Sequence, residues 1–491
     1  MKYISTRNKK LEISASKGVL QGISEDGGLL VPKILPKIDN LDIMKDLGYQ
    51  ELAYKVMRIF LSDFEEKTIK DAIKKAYDHK FSLNTIVPIV EVQDVFFLEL
   101  FHGPTLAFKD MALSILPHLL NSAKIINNIE KEIVILTATS GDTGKAALEG
   151  FANASGVKII VFYPEKGVSE VQKRQMLSQE GDNTFVVGIN GNFDDAQNGV
   201  KELFNNEEFI KEMKKNNYLL SSANSINIGR LIPQIVYYFY SYLSLLNEKK
   251  IKKDEKINIV VPTGNFGNIL AAYYAKGMGL PVNRLICASN ENNILTEFLN
   301  TGVYDKRKEL ILTTSPSMDI LISSNLERLL FHLSGEDDEY IKEKMRDLSE
   351  KGFYEIDNLN LEDFYGNYSL EEEVRTKIVK IFKEENYLMD PHTAVGHNVY
   401  EKYKEETKDK TKTIIVSTAS PFKFGSTVAN ALEIEVEDKD EFEILELLRT
   451  KLNLHLPKVI EDLKEKPILH KNNCNKENME EMIKFLLKVV E

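Results

Sequence analysis

The sequence predicts an α/β fold built on parallel β-sheets. From about residue 131, short β-branched runs alternate with helical segments, as in KEIVILTAT, GKAALEGFANA and GVKIIVFYP (131–164). The alternation continues through KINIVVPT (256–263), RLICASN (284–290) and KTIIVSTAS (412–420). Strands that alternate with helices form right-handed crossovers, and these produce a parallel sheet covered by helices on both faces.

The segments on either side of this region have a different character. Amphipathic patterns after a Gly-rich turn predict a small helical N-terminal domain over residues 1–80. Residues 81–430 form the predicted α/β region, with a charged helical insertion at about 330–390, and residues 431–491 are predicted to be a helical C-terminal segment. The chain of 491 residues is long enough for roughly two to four domains with a large core.

Charge and residue usage exclude several classes of partner. The formal net charge of -12 argues against a nucleic-acid-binding face. The longest apolar run, IVYYFYSYLSLL (235–246), is too short to cross a bilayer, so we expect no membrane partner. Cys287 and Cys474 show neither disulfide nor metal spacing, which favours a cytoplasmic protein. The close pair His392 and His397 has no third ligand nearby in sequence, so no metal site is predicted.

Lys109 has an unusual setting in FHGPTLAFKDMAL (101–113). Its helical neighbours include Leu106, Ala112 and Leu113 rather than polar residues. Apolar surroundings disfavour the charged ammonium, and a neutral lysine amine is a nucleophile that condenses with aldehydes. The alternative is a lysine whose amine extends to solvent from a partly buried helix.

The sequence GNFGN (264–268) directly follows a predicted strand. Ligands of open α/β sheets bind at the carboxyl ends of the strands, so residues at this position are informative. Gly264 and Gly267 allow the backbone to form a nest of N–H groups at the start of a helix, which favours a phosphate. A tight turn with a helix cap is the alternative.

A second strand end reads SGDTGKAA (140–147) and superficially resembles a nucleotide-binding P-loop. That motif requires glycine where this chain has Thr139, and serine or threonine where it has Ala146. The kinase or ATPase interpretation therefore loses its main support. The remaining hydroxyls and N–H groups at a helix start suit a carboxylate instead.

A third strand end reads NSINIGR (224–230). Asn224, Ser225 and Arg230 could converge there on a second anion, because the planar arginine fork donates two parallel hydrogen bonds to a phosphate. Alternatively, Arg230 is a surface residue. A cation is unfavourable beside the positive end of a helix, however, so an arginine in the first turn indicates a bound anion.

Taken together, these motifs resemble the threonine synthase family of pyridoxal-phosphate enzymes, in the tryptophan-synthase-β, or fold-type II, group. The resemblance covers most of the chain and is specific because eight motifs occur in order: GGLLVP, HGPTLAFKD, SGDTG, NSINIGRL, PTGNFGN, SPSMDILISSNLER, MDPHTAVG and STASPFKF. It implies two parallel-sheet α/β subdomains with a small helical N-terminal domain. It also implies pyridoxal 5'-phosphate as the cofactor and a monomer or homodimer.

The resemblance also implies residue roles. Lys109 would bond to the cofactor aldehyde and act as the catalytic proton carrier. The other implied cofactor-binding residues are Gly264, Asn265, Phe266, Gly267 and Asn268 for the phosphate and Thr418 for the pyridine nitrogen. The implied substrate-binding residues are Ser140 and Thr143 for the carboxylate and Asn224, Ser225 and Arg230 for the phosphate. The role of Asp142 stays open, because shorter relatives have asparagine at that position.

The implied reaction converts O-phospho-L-homoserine and water into L-threonine and phosphate by a β,γ-replacement. Two alternatives remain at this stage. A serine/threonine dehydratase-like enzyme of the same fold group would share Lys109 and the glycine nest but would not need a second phosphate site at 224–230. A noncatalytic relative would keep the fold to bind a ligand or partner without need of an intact Lys109.

Overall fold

The computed structural model describes residues 1–139, 141–165, 168–356 and 359–489, with the side chain of Asp194 left out. None of the helices in these ranges combines the length and apolar character needed to cross a membrane.

The strands in the described ranges are β1 (Lys2–Ser5), β2 (Asn8–Ser14), β3 (Leu30–Pro32), β4 (Ile89–Val92), β5 (Val95–Glu99), β6 (Glu132–Ala138), β7 (Val157–Pro164), β8 (Thr184–Ile189), β9 (Tyr218–Ser221), β10 (Ile257–Pro262), β11 (Val282–Ser289), β12 (Val303–Asp305), β13 (Phe353–Glu355), β14 (Phe364–Tyr368), β15 (Thr413–Ser417) and β16 (Asn472–Cys474). The α-helices in the same ranges are α1 (Ala15–Gln21), α2 (Tyr49–Phe60), α3 (Glu66–Ala76), α4 (Asp110–Leu113), α5 (Leu116–Ile126), α6 (Asp142–Phe151), α7 (Glu170–Leu177), α8 (Phe193–Asn205), α9 (Glu207–Lys215), α10 (Ile228–Asn247), α11 (Gly267–Gly277), α12 (Ile294–Thr301), α13 (Leu326–Leu333), α14 (Asp338–Glu350), α15 (Glu371–Glu385), α16 (Pro391–Thr407), α17 (Gly425–Ala431), α18 (Glu441–Leu452), α19 (Lys458–Glu461) and α20 (Met479–Leu487).

Two sheets organise the α/β region. One has the strand order β14-β11-β10-β15-β5-β4 and is parallel except for the antiparallel pair β4 and β5. The other has the order β16-β8-β7-β6-β9 and is parallel throughout. The predicted α/β class with two parallel sheets is therefore confirmed. The strands read as continuous apolar runs because helices cover both sheet faces.

Strands also occur in segments where the sequence predicted only helices. Within residues 1–80, β2, β1 and β3 form a small antiparallel sheet beside α1, α2 and α3. Within residues 330–390, β14 is an edge strand of the first large sheet, and within residues 431–491, β16 is an edge strand of the second. The sequence of β16, NNC, has little strand propensity, so pairing with β8 creates this strand; β14, FYGNY, has three aromatic strand formers but is too short and too interrupted by Gly and Asn to stand out beside the charged helices around it.

The long helix α10 lies at the centre of the molecule. Its 20 residues are buried on almost every side, as expected for a helix that is apolar all round. It packs against α2 of the N-terminal segment, against α4 and against α11. Because α4 directly follows Lys109 and α11 begins with the last two residues of GNFGN, this helix links the predicted functional segments through the core.

A close contact between α6 and α4 at Gly150 leads to the first testable prediction. A Cβ at Gly150 in α6 would lie 2.2 Å from the Leu113 carbonyl oxygen of α4, so Gly150→Ala should force the two helices apart. We expect the free energy of unfolding to fall by about 1–3 kcal/mol. The matched change is Gly18→Ala in α1, where the nearest atom would be 3.4 Å away and alanine favours the helix. Circular dichroism melting should show a lower Tm for the first variant and not for the second; equal Tm values would contradict the prediction.

Candidate active site

The lysine loop (101–109) is held against the end of β15. The Phe108 N–H donates to the Thr418 carbonyl at 2.8 Å, and the Ser420 N–H donates to the Leu106 carbonyl at 3.0 Å. Leu106 adopts a left-handed φ of 60°, which turns the chain so that Lys109 follows directly. The two hydrogen bonds fix Lys109 beside the carboxyl end of β15, next to buried Thr418, which directly follows that strand.

Lys109 is enclosed by polar side chains from other segments. Its Nζ donates to the Ser317 Oγ at 3.2 Å and lies 4.0 Å from the Asp142 Oδ2. Burial lowers the pKa of Lys109 to about 8; Asp142 opposes this shift, while Lys423 and Arg230 add to it. Lys109 therefore releases its proton far more easily than an exposed lysine, which is the direction that the apolar neighbours in the sequence predicted.

Asp142 opens α6 and is the acidic partner in this cluster. It accepts from the Lys423 Nζ at 2.6 Å, from the Gln172 amide at 2.9 Å and from the Ser317 hydroxyl at 3.3 Å. Burial alone would raise the pKa of Asp142, but Lys423 and Lys109 outweigh it and hold the pKa below its usual range. Asp142 is thus a permanent carboxylate that orients the groups around Lys109.

Lys423 is a site residue that the sequence analysis missed. It is fully buried, and its Nζ donates to the Thr105 carbonyl at 2.8 Å as well as to Asp142. The signal was available in SPFKF, where a lysine stands between two phenylalanines, the same kind of apolar setting that singled out Lys109. Nothing in the sequence indicated that Lys423 pairs with Asp142, because the two residues are 281 positions apart in the chain.

The glycine loop (264–268) leads from β10 into the start of α11, as predicted for an anion nest. Phe266 has a left-handed φ of 60° at the residue before the helix, and the binding of a phosphate there stays a prediction. A Cβ at Gly264 would lie 2.5 Å from the Ser317 carbonyl oxygen, so only glycine fits. Phe266 is buried and Asn265 is exposed, whereas the buried Asn268 Nδ2 has no hydrogen-bond partner among the described residues.

The arginine loop (224–230) carries a second cationic site. Arg230 is buried in the first turn of α10, and its Nη1 donates to the Ala223 carbonyl at 2.9 Å. Its Nε has no partner within the described part of the chain, and burial lowers the pKa of Arg230 to about 10. Asn224 is exposed and Ser225 is half-buried on the same loop. A buried guanidinium with a free donor is an anion-binding group.

The predicted carboxylate-binding residues are only partly described. Thr143 is half-buried in the first turn of α6, next to Asp142. The preceding turn is shaped by Thr139, whose Oγ1 accepts from the N–H groups of Gly141 and Gly144 at 3.0 and 2.9 Å. Ser140 lies outside the described residues. The start of α6 is therefore near Lys109, and the role of Thr143 stays a prediction.

Ser317 is a further residue that the sequence analysis did not assign. Its N–H donates to the His392 Nε2 at 3.2 Å, and the His392 Nδ1 lies 2.6 Å from an Asp390 carboxylate oxygen. This pattern assigns the neutral histidine tautomer with its proton on Nδ1. His392 thus fixes the backbone of the segment that brings the Ser317 hydroxyl to Lys109, which is a structural use rather than metal binding.

The site suits a ligand that combines an aldehyde with a phosphate. Lys109 supplies a partly neutral amine, and the glycine loop supplies N–H groups together with the unpartnered Asn268 amide. The two loops are neighbours, because the Asn325 side chain donates to the Asn265 carbonyl of the glycine loop and to the Ser225 carbonyl of the arginine loop. The residues present therefore fit pyridoxal phosphate and a phosphorylated substrate.

Comparisons with known proteins agree with this chemistry. Three family models match the chain: Threonine synthase N terminus over residues 2–77, Pyridoxal-phosphate dependent enzyme over 81–358, and Threonine synthase, C-terminal over 393–483. Threonine synthase of Saccharomyces cerevisiae is 37% identical over 465 residues, covering 88% of this chain and 89% of that protein. Threonine synthase of Pseudomonas aeruginosa is 37% identical over 439 residues, covering 88% and 90%. A pyridoxal-phosphate-bound threonine synthase structure from Brucella melitensis is 34% identical, covers 100% of both chains and has a TM-score of 0.89.

The charges of Asp142 and Lys423 predict how the pKa of Lys109 changes when Lys423 is removed. Lys423→Gln removes a cation that lowers the pKa of Lys109 and leaves the Asp142 carboxylate without its main partner, so the pKa of Lys109 should rise by about one unit. Covalent capture of pyridoxal phosphate requires the neutral amine. The capture rate of the apoprotein, followed by its visible absorption band, should therefore reach half its maximum near pH 8 in the parent and at higher pH in the variant.

The matched control for this experiment is Lys276→Gln. Lys276 is a half-buried lysine paired with Asp363 at 2.7 Å, and it lies at the end of α11 opposite to the glycine loop. Its loss should leave the pH midpoint unchanged. A midpoint that stays in place in Lys423→Gln, or moves equally in both variants, would show that Lys423 does not control the protonation of Lys109.

Proposed function

The chain belongs to the threonine synthase family of pyridoxal-phosphate-dependent enzymes, and from this membership we propose that it converts O-phospho-L-homoserine and water into L-threonine and phosphate. The observation that carries the proposal is Arg230. It is a buried guanidinium with a free Nε donor on a loop separate from the glycine loop, and its charge acts on Lys109. An enzyme that binds a phosphorylated substrate as well as a phosphorylated cofactor needs two such anion sites.

The cofactor-holding residues follow from the geometry of the glycine and lysine loops. When bound, pyridoxal phosphate supplies an electron sink that stabilises negative charge at the α carbon of an amino acid. Lys109 would hold the aldehyde carbon, and Gly264, Asn265, Phe266, Gly267 and Asn268 would hold the phosphate. Thr418 would hydrogen-bond the pyridine nitrogen; its burial beside the lysine loop supports this role.

Lys109 is the group that moves protons. With substrate bound, its amine would remove the proton from the substrate α carbon, transfer a proton from the β carbon to the γ carbon, and finally return a proton to the α carbon. A pKa of about 8 supports both directions of transfer, since the amine and the ammonium are both populated near neutral pH. Ser317 and Asp142 orient the Nζ during these transfers, and Lys423 holds Asp142 in place.

The substrate is held at its two charged ends. Arg230, Asn224 and Ser225 would bind the γ-phosphate, which leaves with the electrons of the Cγ–O bond. The γ carbon takes up a proton, the hydroxyl of water bonds to the β carbon, and the remaining proton of that water is released with the phosphate. Ser140 and Thr143 bind the substrate carboxylate at the start of α6, where helix N–H groups favour an anion. Holding both ends aligns the α and β carbons with Lys109.

The cellular location, the oligomeric state and the domain division are proposed alongside the reaction. We propose a cytoplasmic location, which the two buried, unpaired cysteines Cys287 and Cys474 support, and a monomer or homodimer. The division into segments 1–80, 81–430 and 431–491 is also a proposal. Its first boundary is supported by the family-model matches, which change between residues 77 and 81.

Lys109→Ala should abolish threonine formation, because the change removes both the covalent anchor and the proton carrier. The glycine loop should still retain cofactor noncovalently. The measurement is the rate of threonine formation, with borohydride treatment of the parent expected to fix the cofactor to Lys109. The control is Lys250→Ala, an exposed lysine paired with Glu91, which should keep parent activity. Substantial turnover by Lys109→Ala would refute the assignment of Lys109.

Arg230→Ala separates a threonine synthase from a dehydratase-like enzyme. Loss of the charge-assisted fork should cost about 2–4 kcal/mol, or roughly 30- to 1000-fold in kcat/KM for O-phospho-L-homoserine. Any slow side reaction with serine, which has no phosphate, should continue near the parent rate. Both rates are measured on one preparation, with the visible cofactor band as the control for loading. Equal losses for both substrates would mean that Arg230 supports the fold or the cofactor instead of the substrate phosphate.

A further inference from the structure

We propose that Asn325, positioned by Arg328, couples the glycine loop to the arginine loop. In this inference each phosphate binds with full affinity only while Asn325 holds both loops at the correct spacing. The inference rests on the proposed function, because that proposal assigns cofactor phosphate to one loop and substrate phosphate to the other. It adds two positioning residues that touch neither phosphate.

Asn325 bridges the two loops through backbone carbonyls. Its side-chain Nδ2 donates to the Asn265 carbonyl of the glycine loop at 2.9 Å and to the Ser225 carbonyl of the arginine loop at 3.4 Å. Its own N–H donates to the same Asn265 carbonyl at 3.1 Å. The side chain is fully buried, and its Nδ2 would lie 3.5 Å from a Cβ at Gly267, so it packs directly against the glycine loop.

Arg328 fixes the orientation of the Asn325 amide. Its Nη1 donates to the Asn325 Oδ1, and a guanidinium has only donors, so the oxygen of the amide must face Arg328 and the nitrogen must face the loops. Its Nη2 donates to the Ile226 carbonyl of the arginine loop at 2.5 Å, and its Nε donates to the Leu30 carbonyl at the start of β3 at 2.9 Å. Arg328 is completely buried, and burial lowers its pKa to about 10.

A second connection joins helix α10 to helix α11. The Tyr237 hydroxyl of α10 lies 3.0 Å from the Asn268 Oδ1 of α11 and 3.1 Å from the Gln234 Oε1, and its one proton is donated to one of these two oxygens at a time. The Gln234 amide in turn donates to the Arg230 carbonyl at 2.8 Å. These side chains fix the start of α10 relative to the start of α11. Asn325 then sets the spacing of the two loops at these helix starts.

This arrangement gives the coupling a physical path. An anion bound to the N–H groups of the glycine loop fixes the position of the Asn265 carbonyl. Because Asn325 is hydrogen-bonded to both carbonyls, the position of the Ser225 carbonyl in the arginine loop is then fixed as well. Because binding free energies are reciprocal, a phosphate on the arginine loop must favour cofactor binding by the same factor. Loss of the Asn325 amide should weaken both sites together.

The test is Asn325→Asp. The carboxylate still accepts from Arg328 but presents an oxygen instead of an N–H donor to the Asn265 and Ser225 carbonyls, so both loops lose their common donor. Two dissociation constants are measured: pyridoxal phosphate with the apoprotein, and inorganic phosphate with the holoenzyme at saturating cofactor. We expect each to rise about five- to tenfold, with the KM for O-phospho-L-homoserine rising more than kcat falls.

Asn183→Asp is the matched control. The Asn183 amide also bridges backbone carbonyls, those of Phe151 and Val157 at 2.8 Å each, but it lies outside both loops. It should lower Tm without changing either dissociation constant. Asn325→Ala, which removes the donor without adding a charge, should reproduce the two affinity losses and covers the case in which Asn325→Asp does not fold.

The outcomes separate the possibilities. Parallel loss of both affinities in a folded Asn325 variant supports the coupling. Loss of one affinity alone, or a lower Tm with both affinities intact, would overturn it and leave Asn325 as a local or purely structural contact. Failure of the parent to form threonine would refute the proposed reaction, whereas the two binding measurements would still decide the coupling, because neither depends on turnover.

Discussion

The buried ion pair between Lys423 and Asp142 is the interaction on which the site depends. Burying an ammonium is costly, and the 2.6 Å contact with Asp142 compensates that cost for Lys423 only. Lys109 interacts more weakly with the same carboxylate, at 4.0 Å, and Arg230 donates to a carbonyl rather than a carboxylate. The result is a lysine that releases its proton easily and an arginine that is available to an anion.

The fold creates this cluster by placing the carboxyl ends of strands from two sheets opposite each other. Lys109, the glycine loop and Thr418 follow β5, β10 and β15 of one sheet, while Asp142 and the arginine loop follow β6 and β9 of the other. Segments that follow strand ends have backbone groups free for ligands. The segment containing Ser317 and Asn325 then contacts residues from both sides, which ties the two halves of the site together.

Local sequence predicted those features whose cause is local. The β-branched runs predicted the main strands, and Phe266 has the left-handed conformation that a glycine-flanked turn permits. Edge strand β16 was not predicted because its neighbour β8, rather than its own residues, makes it a strand, and β14 was not predicted because its short aromatic run lies among charged helices. Likewise, nothing near Ser317 in the sequence indicates that its hydroxyl lies between Lys109 and Asp142.

The sequence by itself determined the α/β class, the family and the candidate nucleophile, because strand periodicity, ordered motifs and an apolar lysine environment are all readable over short windows. Only the tertiary structure decided the charge state and spacing of the site. The pKa of Lys109 depends on burial and on Asp142, Lys423 and Arg230, and the loop spacing depends on Asn325. These groups lie far apart along the chain, and electrostatic energy depends on distance in space, which only folding sets.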